Sequence, residues 1–213
     1  MVLYLLNRLL DRGALHDVIE CLTTAMEARD SYTSGHSSWV ADMSFDIARN
    51  MGIKGRQLED IHLAAHLHDI GKFGIPESIL NKKGKLTAGE WEQIKKHPEI
   101  GFNILYKSKG LREIARIVLH HHERWDGKGY PEGLKQDRIP LGSRIIAVAD
   151  AIDAMTSQRP YRGAMTWEKC MNEIILNKGI QFQPAPAEVA EKLWTLWSSQ
   201  WNKAPGKKRE SMA

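Results

Sequence analysis

Apolar residues recur at intervals of three and four through most of the chain, and no run shows the two-residue alternation of a strand. Over residues 1–29, Leu3, Leu6, Leu10, Leu15, Ile19, Leu22 and Met26 form one stripe, predicting one long or two short amphipathic helices. A second helix is predicted over 34–51 and a third over 56–70, stopped by Gly52 and Gly71. Residues 72–86 read as a loop with a helical turn near 76–80. Thr87, with Glu90 three residues later, is a capping-box pair that starts a helix. His97-Pro98 marks a break, because proline disfavours a helical residue before it. Further helices are predicted over 111–122, 141–157, 166–178 and 186–201. Ile145, Val148, Ala149, Ile152 and Met155 give the 141–157 helix its inner face. The Gly- and Pro-rich stretch 126–140 is a loop. The pattern predicts an all-α domain over about residues 14–200, preceded by the helical region 1–29.

Composition narrows this little. A chain of 213 residues, 42% hydrophobic and 26% charged, can bury a real core and falls among soluble globular proteins. Its apolar runs are too short to cross a bilayer; the opening one meets Asn7 and Arg8 at once, with no cleavage site after it. Cys21 and Cys170 form neither a disulfide framework nor a cysteine metal site, so a reducing cytoplasm is expected. The net charge of +4 lies partly in residues 203–209, within a tail (201–213) expected to be disordered. That balance suits an anionic small molecule and gives no reason to expect a nucleic-acid polymer.

Nine histidines in this length do change the picture. Residues 120–131 read HHHERWDGKGYP, and neighbouring positions on a helix point about 100° apart, so a core has little use for three histidines in a row. A metal centre between helices could use two of them; a solvated helix end carrying favourable positive charge is the bland alternative. Matching donors stand elsewhere. His36 lies early in its helix, His68 and Asp69 close another, His97 sits at the Pro98 break, and Asp150 lies among small and apolar residues. A buried lone carboxylate needs a partner, a cation or an ion pair with a residue such as Arg144. His62 and His66 have the i,i+4 spacing of zinc hydrolases, but Leu63-Ala64-Ala65 between them supplies no glutamate. They read as partly buried or supporting histidines, as do His16 and His120. There is no Walker-type phosphate loop and no Cys or Ser nucleophile in a recognisable setting.

The ordered motifs His68-Asp69-Ile70-Gly71-Lys72, His97-Pro98-Glu99 and His121-His122-Glu123-Arg124-Trp125-Asp126-Gly127-Lys128-Gly129-Tyr130-Pro131 resemble the HD-GYP domains. These are a subgroup of the HD metal-dependent phosphohydrolases. The resemblance takes in Arg29-Asp30-Ser31-Tyr32-Thr33-Ser34-Gly35-His36, Ala147-Val148-Ala149-Asp150 and Thr156-Ser157-Gln158-Arg159-Pro160-Tyr161-Arg162, and spans about residues 14–190. It implies a helical bundle with a metal centre between helices, holding iron or manganese, that hydrolyses cyclic di-GMP to linear pGpG and in some members to GMP. By resemblance, His36, His68, Asp69, His97, His121, His122 and Asp150 are metal ligands, with Asp69 bridging two ions. Asp69 and Lys72 are then catalytic, and Lys72, Tyr130, Arg159 and Arg162 line the substrate site. Some members hold a third ion with a glutamate four residues before the first histidine. Here that position is Tyr32, so two ions, and pGpG as the end product, are expected.

Two other readings stand beside this one. The same chemistry could serve another cyclic nucleotide or dinucleotide. Alternatively, the domain could be a non-catalytic module that contacts diguanylate cyclases (GGDEF proteins) or sensor partners through the Gly127 to Pro131 loop. Residues 1–29 could mediate a homodimer or pack as ordinary core.

Overall fold

The computed structural model describes residues 12–29, 35–157 and 163–201. Leu3, Leu6, Leu10, the Leu15 side chain, Tyr32, Arg159, Arg162 and the basic tail lie outside the described residues. Ten α-helices follow one another among them: α1 (Arg12–Arg29), α2 (His36–Asn50), α3 (Gly55–Leu67), α4 (Glu77–Leu80), α5 (Ala88–Ile94), α6 (His97–Leu105), α7 (Arg112–Leu119), α8 (Leu141–Thr156), α9 (Trp167–Leu176) and α10 (Pro184–Trp201). The described residues contain no strand, only an isolated bridge between Lys178 and Phe182. An all-α bundle is what the periodicity predicts.

Helices α2, α3 and α8 pack against one another at the centre, with α7 and α6 on one flank and α9 and α10 on the other. Val40, Met43, Ile47, Ala64, Ile145, Ile146, Ile152 and Ile174 form one continuous buried cluster. Trp197 closes it from α10 and donates its indole N–H to Asp46 at 2.9 Å, satisfying the polar end of a buried ring. On α1, Ile19 and Met26 are buried but Leu22 is 45% exposed. Thr23 takes the inward place predicted for Leu22 and donates its hydroxyl to the Ile19 and Glu20 carbonyls.

The helix ends matter most. The Thr87–Glu90 capping box forms as predicted, with Thr87 N–H donating to Glu90 Oε2 at 2.7 Å and Glu90 N–H to Thr87 Oγ1 at 3.3 Å. Pro98 occupies the first turn of α6, where its missing N–H costs nothing, so the break at His97 is a helix start. Two helices stop three residues earlier than their pattern predicts. α3 ends at Leu67 rather than 70, and the chain tightens into a 3-10 turn over Ile70–Gly74. That turn lays Gly71 directly on the start of α6: a β-carbon there would collide with the His97 carbonyl and the Gly101 nitrogen, so only glycine fits. α7 ends at Leu119 rather than 122. The His120 N–H bonds back to the Ile117 carbonyl, three residues away, and the chain leaves the helix.

Arg29, at the end of α1, donates to the Phe73 carbonyl at 2.8 Å and the Ile75 carbonyl at 2.9 Å. It therefore braces the turn that carries Lys72. Glu27 accepts from the Gly35 and Ser37 N–H groups at 2.7 and 2.9 Å, satisfying donors left free at the start of α2.

Candidate metal centre

Those interrupted helix ends point at one another. His36 from α2, His68 and Asp69 after α3, His97 from the start of α6 and His121 after α7 are all buried together. In a regular helix consecutive side chains diverge; by leaving α7 before His120, the chain brings the His121 and His122 rings to 4.0 Å between centroids. His120 stays apart, with Nδ1 bonded to the Arg116 carbonyl at 2.8 Å and Nε2 3.4 Å from Glu132.

Four of the five rings are aimed from behind. His68, His97 and His121 donate Nδ1–H to the carbonyls of Ala65, Ile94 and Val118, each three residues earlier, at 2.7, 2.8 and 2.6 Å. His36 Nδ1 is held by Asp153 Oδ2 at 2.6 Å. Fixing Nδ1 leaves the Nε2 lone pair free for a cation, the arrangement in which imidazole binds metal best. The Nε2 atoms of His36 and His68 lie 3.2 Å apart, as do those of His97 and His121. Two groups result, His36 with His68 and Asp69, and His97 with His121 and His122. Asp69 stands between them. Its Oδ2 is 3.4 Å from His68 Nε2 and 3.7 Å from His36 Nε2, while Oδ1 is 3.3 Å from His97 Nε2. Asp150 Oδ1 lies 3.5 Å from His36 Nε2. Arg144, the alternative partner for Asp150, instead pairs with Asp137 at 2.7 Å.

The charge balance differs across the centre. Burial works to raise the Asp69 pKa, but the Lys72 ammonium, 2.7 Å from Oδ2, and the surrounding imidazoles hold it well below the usual carboxylate range. Burial likewise opposes ionisation of Asp150, and His68, His36 and His122 outweigh it, leaving that carboxyl lowered. For His36, burial lowers the pKa, yet the bond to and charge of Asp153, with Asp150 and Asp69, leave it raised. Burial and the neighbouring rings push His121 well below its ordinary value and His122 down to about 3. Five imidazoles, four of them oriented, and two carboxylates, with no thiolate, fit borderline or hard divalent ions bound to nitrogen and oxygen.

Tyr130 reaches the same centre. Its N–H bonds to the His122 carbonyl at 3.3 Å, and its ring lies 4.9 Å from that of His122. Gly129 makes this possible, because a β-carbon there would strike the His122 to Arg124 backbone. Burial, then the Asp150 and Asp69 charges, push the Tyr130 hydroxyl above its ordinary pKa, so it stays a neutral donor. A cavity opens at the centre, lined by His121, His122, Arg124, Asp150 and Gln181. Arg124 is held in that wall by Asp126 at 2.9 Å and Gln181 at 2.7 Å.

Asp153, Arg124 and Gln181 are missing from the sequence-derived set. Asp153 had a signal, since it falls one turn after Asp150 on the inner face of an apolar helix. Gln181 had none: its position depends on the segment after α9, whose Ile180 and Gln181 carbonyls accept from Asp126 and Trp125.

The fold and site together define an α-helical domain that gathers histidines and carboxylates from five separate helices or their ends. Residues 20–185 match the HD domain family, and the chain belongs to it. A Thermotoga maritima protein named cyclic di-GMP phosphodiesterase is 45% identical over 181 residues, covering 84% of this chain and 49% of its own length. A Vibrio cholerae protein named 3'3'-cGAMP-specific phosphodiesterase 2 is 39% identical over 192 residues, covering 89% of this chain and 37% of its own. The chain thus spans about half or less of the length of these curated relatives. Among solved structures, a cyclic GMP-AMP specific phosphodiesterase of V. cholerae superposes with a TM-score of 0.63 at 21% identity, covering 83% of this chain and 47% of that one. That likeness supports the fold. No helix among the described residues is long and apolar enough to cross a membrane.

Proposed function

We propose that this domain is a cyclic di-GMP phosphodiesterase that hydrolyses the ring to linear pGpG. The single observation that carries the reading is the position of Asp69, whose two oxygens face two separate histidine groups. Such a carboxylate suits a pair of divalent ions. His36, His68, Asp150 and one Asp69 oxygen would hold the first, and His97, His121, His122 and the other oxygen the second. When bound, the ions would supply Lewis acidity toward phosphate oxygens and activation of water. Iron and manganese both suit this donor set. Tyr32 offers no carboxylate toward a third ion, which favours pGpG as the end product.

The chain's own residues do the rest. Lys72, now neutralising Asp69, supplies a positive charge beside the centre for a phosphate oxygen. Tyr130, neutral and against His122, offers a hydroxyl donor and a ring face to the substrate. Arg159 and Arg162 are assigned to a phosphate or a guanine edge, where a guanidinium fork fits both. The reaction belongs to the cytoplasm, where diguanylate cyclases or sensor proteins are the expected partners and a homodimer is an expected assembly.

The 39% relative favours one second reading, hydrolysis of 3'3'-cGAMP. A purely scaffolding role does not explain four histidine rings separately fixed from behind. The test is turnover by the full chain, purified without oxygen and loaded with ferrous iron or manganese, on cyclic di-GMP and 3'3'-cGAMP side by side. Chromatography should show pGpG from cyclic di-GMP at the higher kcat/KM. Intact cyclic di-GMP under both metals would sink the proposal.

A further inference from the structure

A second histidine cluster lies outside the centre. His16 from α1 and His62 and His66 from α3 each offer a ring nitrogen, and these atoms all lie within 4.8 Å of one another. The rings enclose a small space, with centroids 5.4 Å apart for His16 and His62, 5.1 Å for His16 and His66, and 4.8 Å for His62 and His66. Phe45 closes one side, 5.3 Å from His62. Two further observations point to a ligand. The Nδ1 atom of His66 is buried without a hydrogen-bond partner in a residue 3% exposed, a state that buried polar atoms rarely keep. The Glu20 carboxylate, one helical turn after His16, stands 3.4 Å from its Nε2. The cluster is separate from the centre described above, since residues 66 and 68 are about 200° apart around a helix.

We infer that His16, His62 and His66, with Glu20 as the fourth donor, form a zinc-class cation site that fastens α1 to α3. A tetrahedral ion with nitrogen bonds of about 2.0–2.1 Å needs donors roughly 3.4 Å apart, so small ring rotations close the present spacing. Three imidazoles and one carboxylate select zinc and its neighbours over magnesium or calcium. Elsewhere α1 is tied down by Ile19, Met26, Glu27 and Arg29. The ion adds a cross-link nearer its beginning, so it binds the folded chain and raises its melting temperature.

The test uses the full chain. After equilibrium dialysis against zinc, elemental analysis should find one equivalent fewer in His16→Ala and in His62→Ala than in the wild type. Zinc should also raise the melting temperature of both variants less. Equal zinc content in variants and wild type would overturn the site. Should a variant not fold, the wild type still decides. His16 keeps a third of its side-chain surface open, so diethylpyrocarbonate can reach it, and mass spectrometry reports the modification. Saturating zinc should protect His16 at least several-fold; unchanged modification would count against the site. None of these residues serves the proposed phosphodiesterase chemistry, so each reading can fail alone.

Discussion

The two sides of the candidate metal centre are built on different plans. On one, His36 and His68 work beside Asp69 and Asp150, and the His36 ring is aimed by a side chain, Asp153. On the other, His97, His121 and His122 gather with a single Asp69 oxygen, and the His97 and His121 rings are aimed by backbone carbonyls. The first side concentrates negative charge and holds His36 protonated to higher pH; the second keeps its rings neutral by burial. A cation therefore meets proton competition on the carboxylate side and a ready set of lone pairs on the histidine side. The contrast also separates what mutation can reach from what it cannot, since a backbone carbonyl has no alanine variant.

Removing the shared element should erase the contrast. Asp69→Ala is expected to lower turnover by well over about a hundredfold, beyond what loss of an outer partner costs, and to empty both sides by elemental analysis. Turnover near the wild-type rate would remove Asp69 from the chemistry. Asp153→Asn should touch one side only. It frees the His36 ring and should cost about 10- to 100-fold in metal affinity there, leaving one ion in place. Loss of both ions would show that the sides do not act separately.

Acid should also divide them. In the metal-free protein, His122 has a pKa of about 3 against about 6.5 when unfolded. The unfolded chain binds more protons between these values, so this contribution to stability is lost as pH falls through that window. His36 runs the other way: its contribution is fully present below about 6.5 and is lost as pH rises through the raised folded value. The metal-free melting temperature should therefore climb toward about pH 6.5 and flatten or fall above it. With metal present, acid should release the ion beside His36 first, and a single release step would contradict the two plans. The smallest effect is expected from Arg144→Gln. Its partner Asp137 is 84% exposed, so stability should change by less than about 1 kcal/mol in denaturant melts, with metal content unchanged.

Much of this was legible in advance because the donors are chemically conspicuous. His68-Asp69, His97-Pro98 and the His121-His122 pair stand at helix ends that Gly, Pro and period already mark. Less visible was how the chain leaves its helices there. Periodicity carries α3 through Ile70 and α7 through His122, yet the Gly71 contact with α6 and the pairing of the His121 and His122 rings demand tighter turns. Leu22 failed as a core residue because α1 meets its neighbours along a narrower stripe than its sequence offers. Arg124 and Gln181 were silent, being joined only by the tertiary path of the segment after α9. His16, His62 and His66 read as bland because their spacing along the chain does not show that α1 lies over α3.

The grip of Arg29 on the Phe73 and Ile75 carbonyls gives α1 a mechanical character. Between residues 16 and 29 the helix is a rod about 20 Å long. Its far end is tied by three hydrogen bonds to the short turn that presents Lys72. Whatever holds α1 in place therefore also holds the backbone from which the Lys72 ammonium reaches Asp69.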